Sequence, residues 1–161
     1  MARQENDGKS IIVFSGDLDK AMAAFIIATG AAAMGSEVTM FFTFWGLNVL
    51  RKSGPVAVSK PLLDRVFGWM MPKGPDRLGL SKMNMGGAGA GMMRFIMRKK
   101  NVMPLRKLID EARDLGVRMI ACTMSMDVMG LKQEELIDGL EFAGVASYLE
   151  TAEKCGVNLF I

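Results

Sequence analysis

Short β-branched apolar runs alternating with helical segments predict an α/β fold: a three-layer, mainly parallel sheet with helices on both faces. Three observations carry that reading. Residues 11–14, 38–44, 117–122 and 157–161 are continuous apolar or β-branched runs, the pattern of strands buried on both faces. Helical patterns separate them, which makes βαβ units. Finally, 161 residues of 50% apolar composition supply one domain with a full core.

The elements follow in order. Residues 11–14 form the first strand and run into Ser15-Gly16-Asp17, where Ser15 or Asp17 can cap a helix from about 18 to 34. Gly35 is its natural stop. That helix is the most hydrophobic stretch, but it is mostly Ala, Gly and Thr and is broken by Ser36-Glu37, so it reads as buried rather than transmembrane. Residues 38–44 are the second strand, and 47–52 a short helix ended by Gly54-Pro55. Residues 104–115 give the cleanest helix. Pro104 suits a first turn, Leu105, Leu108, Ile109, Ala112 and Leu115 share one stripe, and Arg106 can pair with Asp110. Gly116 ends it, and 117–122 is the third strand. Helices at about 132–138 and 145–155 and a terminal strand at 157–161 complete the pattern.

A segment at about 54–103 departs from it. It holds eight of the sixteen Met and the run of Gly and Ala from 86 to 91. From 51 to 107 there are thirteen Lys or Arg against Asp64 and Asp76, a net +11, while the remainder is net −8. The overall +3 thus hides a basic, Met-rich insert on an acidic body. A structureless connection of that length is improbable in a compact domain, so helices are expected at about 60–69 and 88–99. The organisation is therefore a single domain, 1–161, with a polar N-terminal tail at 1–8 and the insert.

Composition excludes several chemistries. With no His, Ser-His-Asp and Cys-His catalysis and nearly all zinc enzymes are ruled out. The two Cys, Cys122 and Cys155, form no Cys-x-x-Cys, which excludes a structural zinc site and a thioredoxin-type dithiol. The polar N-terminus has no secretory h-region, so a cytoplasmic location with free thiols is expected, although one disulfide between the two Cys stays open. The glycine run has Met92 where a dinucleotide fingerprint needs its third glycine, and no Lys-Ser or Lys-Thr follows. A hinge or a close helix contact is the better reading.

Sites in parallel sheets lie beyond the carboxyl ends of the strands. That places Ser15, Gly16 and Asp17, then Trp45, then Cys122, Thr123 and Met124 on one edge. Cys122 is the foremost candidate nucleophile: it ends a buried strand, where a following helix N-terminus favours thiolate. Asp127 opposes that, and Arg94, Arg98, Lys99 or Lys100 from the insert could compensate. Cys155, before Gly156 and away from that edge, reads as a half-buried helix-end thiol. The Met-rich surface fits core filling, a subunit interface or a carrier-protein dock. In 92–100, Met93, Ile96 and Met97 share one face and Arg94 and Arg98 another, so peripheral contact with an anionic membrane is a further option. A nucleic-acid partner is not expected: the patch has one Phe and no recognised module.

With these residues in view, the chain resembles the DsrE/DsrF-like family of small sulfur-relay proteins. The resemblance rests on residues 9–20, with Phe14-Ser15-Gly16-Asp17, and on 38–46, ending Phe44-Trp45-Gly46. It continues through 120–130, opening Ile120-Ala121-Cys122-Thr123-Met124, and Gly144-Val145-Ala146-Ser147-Tyr148-Leu149. The Met-rich middle resembles a larger DsrE-related subgroup. A peroxidatic Thr-x-x-Cys context is absent. The resemblance implies an α/β protein that forms oligomers, with Cys122 at the position that carries sulfur as a persulfide. It implies donor and acceptor proteins as partners, and the exchange needs no metal or organic cofactor. A non-catalytic adaptor of the same fold, acting through the insert, is the alternative.

Overall fold

A computed structural model describes residues 7–161. Five strands form one sheet in the order β4-β3-β2-β1-β5, every pair parallel. They are β1 (Gly8–Val13), β2 (Val38–Phe42), β3 (Arg118–Cys122), β4 (Glu141–Ala143) and β5 (Cys155–Phe160). The helices are α1 (Leu18–Ala33), α2 (Leu62–Met70), α3 (Ala88–Lys99), α4 (Leu105–Asp114), α5 (Thr123–Met129) and α6 (Val145–Ala152).

Crossover handedness decides which helix covers which face. The chain steps in one direction from β1 to β2 to β3, so right-handed crossovers put α1 and α4 on the same face. From β4 to β5 it steps back across the sheet, which puts α6 on the opposite face. The side chains sort accordingly. Ile11, Val13, Met40, Phe42, Met119 and Ala121 join α1 and α4 in the main core. Phe41, Ile120 and Cys122, alternating with them, join Tyr148 of α6 in a smaller cluster.

α1 buries Leu18, Ala21, Met22, Phe25, Ala28 and Thr29, a helical stripe. It ends as expected at Gly35 (φ 90°), with Gly35 N–H donating to the Ala32 carbonyl at 2.9 Å and Ser36 N–H to that of Ala31 at 3.1 Å. In α4, Leu105, Leu108, Ile109 and Ala112 are buried. Leu115 falls past the helix and is exposed. Pro104 precedes the first turn as N-cap, and Arg106 pairs with Asp76 and Ser53 instead of Asp110.

Other expectations also shift. β1 begins at Gly8 and stops at Val13, β2 stops at Phe42, and Phe44–Leu50 forms 3-10 turns. The helix expected over 132–138 reduces to one 3-10 turn, Gln133–Glu135. The last helix stops at Ala152, and β5 takes in Cys155. β4 and α5 have no counterpart in the sequence reading. Helices do form in the 54–103 segment. α2 buries only Gly68. It is fastened by ions: Arg51 donates to the carbonyls of Gly68 (3.1 Å) and Pro72 (3.3 Å), and Glu135 lies between Arg51 and Lys60. Burial pulls the Arg51 guanidinium below its ordinary range, and Glu135 opposes that shift.

Candidate functional site

The carboxyl edge is assembled by two loops packed backbone to backbone. Gly46 N–H donates to the Phe14 carbonyl at 2.8 Å, and Thr43 N–H to that of Val13 at 3.1 Å. A Cβ on Gly46 would lie 2.0 Å from the Val13 oxygen, and one on Gly16 would lie 2.7 Å from the Trp45 oxygen. Both positions therefore demand glycine on contact grounds. These contacts bring Ser15, Gly16, Asp17 and Trp45 together. The Ser15 hydroxyl donates to Asp17 at 2.9 Å, and Lys20 reaches both, at 3.2 and 3.1 Å. Trp45, 46% exposed, tilts against Phe67 of α2. Phe14 stands 5.8 Å from both Phe44 and Phe160.

Cys122 is the last residue of β3 and the N-cap of α5. Thr43 at the end of β2 bonds Ser125 of α5 at 2.7 Å, which ties the Cys122-Thr123-Met124 turn to the neighbouring strand. Met124 is exposed, whereas Cys122 is only 2% exposed. Its side chain belongs to the α6-side cluster of Phe41, Ile120 and Tyr148. Tyr148 stacks on Phe41, with ring centroids 4.7 Å apart. The insert's loop before α3 reaches this edge, where Leu18 N–H donates to the Gly79 carbonyl at 2.7 Å. Arg94 donates to the Leu78 carbonyl at 2.6 Å, and Arg98, Lys99 and Lys100 are exposed at the end of α3.

Cys155 opens β5 at the other end of the sheet. Counting strand spacings and register, roughly 25 Å separates the two thiols. A disulfide between them is excluded by geometry, and both are free. A hollow of about 850 Å³ lies at this amino edge, lined by Glu37, Arg118, Lys154 and Cys155 among others. Burial pushes the Cys155 thiol up, Glu37 adds to the rise, and Lys9 only partly offsets it. The thiol accordingly donates to the Thr151 carbonyl at 3.4 Å.

Sequence reasoning passed over Tyr148, Thr43 and Ser125 as site residues. Tyr148 had a signal: it is the only tyrosine, on a helix beside the last strand, and Ser10 supplies a hydroxyl in an apolar strand. No helix among the described residues is long and apolar enough to cross a membrane.

The DsrE/DsrF/DrsH-like family profile matches residues 5–160. The chain belongs to this family. It is 55% identical over 152 residues to the "Uncharacterized protein YrkE" of Bacillus subtilis, covering 94% of this chain and 95% of that one. It is 39% identical over 156 residues to the "Sulfur carrier protein DsrE2" of Allochromatium vinosum, covering 94% and 96%. Two solved structures share the fold. The ychN protein from E. coli has a TM-score of 0.54 at 10% identity, covering 96% of this chain and 99% of that chain. MTH1491 from Methanobacterium thermoautotrophicum, of unknown function, has 0.56 at 13%, covering 94% and 97%.

Proposed function

We propose that this DsrE-family protein is a sulfur-relay carrier that holds sulfur as a persulfide on Cys122 and passes it to a partner thiol. The observation behind this reading is Cys122 itself. It ends an inner strand at the carboxyl edge, in a chain 39% identical to a protein named a sulfur carrier.

The exchange balances without an oxidant or cofactor. The Cys122 thiolate attacks the outer sulfur of a donor persulfide, the donor S–S bond breaks, and the donor leaves as thiolate. Cys122 then carries –S–SH. An acceptor thiolate takes that outer sulfur, and Cys122 leaves as thiolate. Such a carrier works where thiols stay reduced, which fits a cytoplasmic location. Ser15, Gly16, Asp17, Trp45, Thr123 and Met124 form the rim a partner protein would meet, with Arg94 and Arg98 as outlying basic contacts. Exposed aromatics such as Trp45, Trp69 and Phe160 suit coverage by partner proteins or a homo-oligomer.

Protein preloaded with sulfane sulfur and then desalted tests this. Cyanide should release thiocyanate from the wild type, and an added thiol should accept the sulfur. Cys122→Ala should give neither while keeping wild-type assembly on gel filtration. Undiminished release from Cys122→Ala would overturn the reading and favour an adaptor.

A further inference from the structure

Sulfur exchange requires a second sulfur atom to reach Cys122, yet that residue is 2% exposed. The layer over it is thin. α1 and α4 cover the opposite face. On the Cys122 side, the cluster consists of sheet residues and Tyr148 of α6, with Ile12 and Ala143 of the strands and Ala152 of α6 partly buried around them. Cys122 is in register with Ala143, and α6 begins two residues later at Val145.

One fully buried side chain, with Ala152 partly buried at the far end, holds that helix down. Tyr148 is the only buried residue of α6, while Val145 and Leu149 are 55% and 50% exposed. The Tyr148 ring stacks on Phe41 of β2. Its hydroxyl lies 2.8 Å from Ser10 Oγ of β1, and Ser10 donates to Asn158 Oδ1 of β5 at 2.5 Å. With the Ser10 proton committed there, Tyr148 is the donor to Ser10. Local opening is easiest where few apolar contacts are lost. α1 would have to expose seven buried residues, whereas α6 exposes one.

We propose that α6 is a lid over Cys122, latched by Tyr148, whose displacement admits the donor or acceptor sulfur. Its purpose rests on the carrier reading above, but the opening is a property of the fold and is testable without sulfur chemistry. The test follows N-ethylmaleimide labelling of Cys122 in the folded protein by peptide mass, across low guanidinium concentrations. Local opening exposes little surface, so the rate should be nearly flat in denaturant below the unfolding transition. Tyr148→Phe keeps the ring and loses one hydrogen bond, and should raise the rate about fivefold to tenfold. In the wild type, hydrogen exchange should be faster at α6 amides than at those of α1. A Cys122 rate that climbs with denaturant in step with global unfolding would overturn the lid, as would α6 amides protected as well as α1. Failure of sulfur loading with the labelling behaving as described would refute the carrier and leave the lid standing.

Discussion

On one face of the sheet, α1 and α4 lie side by side over Ile11, Val13, Met40, Phe42, Met119 and Ala121. On the other, among the described residues, α6 is the helix that packs with Ile12, Phe41, Ile120 and Cys122, with Tyr148 its only buried side chain. The same strands supply both faces by alternation. The difference lies in the connections: three crossovers run one way and one runs back. Stability is concentrated on the first face, and the thiol sits under the thinner cover. On the proposal above, this arrangement keeps Cys122 out of water and uncovers it without unfolding the core.

The largest expected effect is on the thick face. Phe25→Ala empties a fully buried site packed 5.9 Å from the Phe42 ring and should cost about 3 to 5 kcal/mol in denaturant unfolding. A cost under about 1 kcal/mol would contradict the assignment of stability to this face.

Glu135→Ala probes a third kind of attachment, that of α2, where ions replace apolar contact. It leaves Arg51 and Lys60 buried without their shared carboxylate and should cost about 3 kcal/mol. Thermal melting monitored by the fluorescence of Trp69 in a Trp45→Phe background would follow it.

On the thin face the effects should be smaller. Tyr148→Phe removes only the bond to Ser10 and should lower stability by about 1 kcal/mol. Leu149→Ala, on the outer side of α6, should change it by less than about 0.5 kcal/mol. A Leu149→Ala loss as large as that of Phe25→Ala would mean that α6 is covered in solution.

The Cys155 thiol can be probed through pH. The Cys155 pKa is raised by burial and by Glu37, so its thiolate forms at higher pH than that of an ordinary cysteine. Alkylation of Cys155 should therefore rise with a midpoint above that of the unfolded chain. Glu37→Gln should move the midpoint down. For stability the sign is the same: the folded state disfavours this thiolate, so stability is lost as pH rises above the unfolded pKa.

Much of this arrangement was legible in local sequence. β1, α1, β2, α4 and β3 are long or periodic enough to read, and Gly35 and Gly116 stop their helices where expected. Cys122 at a strand end followed from the same reading. β4 did not, because Glu141-Phe142-Ala143 is three residues with no apolar run. α5 was hidden because Thr123-Met124-Ser125-Met126 continues the strand-like composition of β3. Residues 132–138 have helix-forming composition, but tertiary contacts take them. Glu135 is held by Arg51, Lys60 and the Lys132 amide, and Leu136 bridges Arg51 in extended conformation. The cover over Cys122 could not be read locally, since Ser10, Phe41, Cys122 and Tyr148 meet only through the sheet order.

The most direct measurement is intact-protein mass spectrometry after incubation with inorganic polysulfide, on the wild type and on Cys122→Ser and Cys155→Ser. A reducible gain of whole sulfur atoms in the wild type and in Cys155→Ser, lost in Cys122→Ser, is the predicted result. Equal loading of both cysteines, or none at Cys122, would contradict the account.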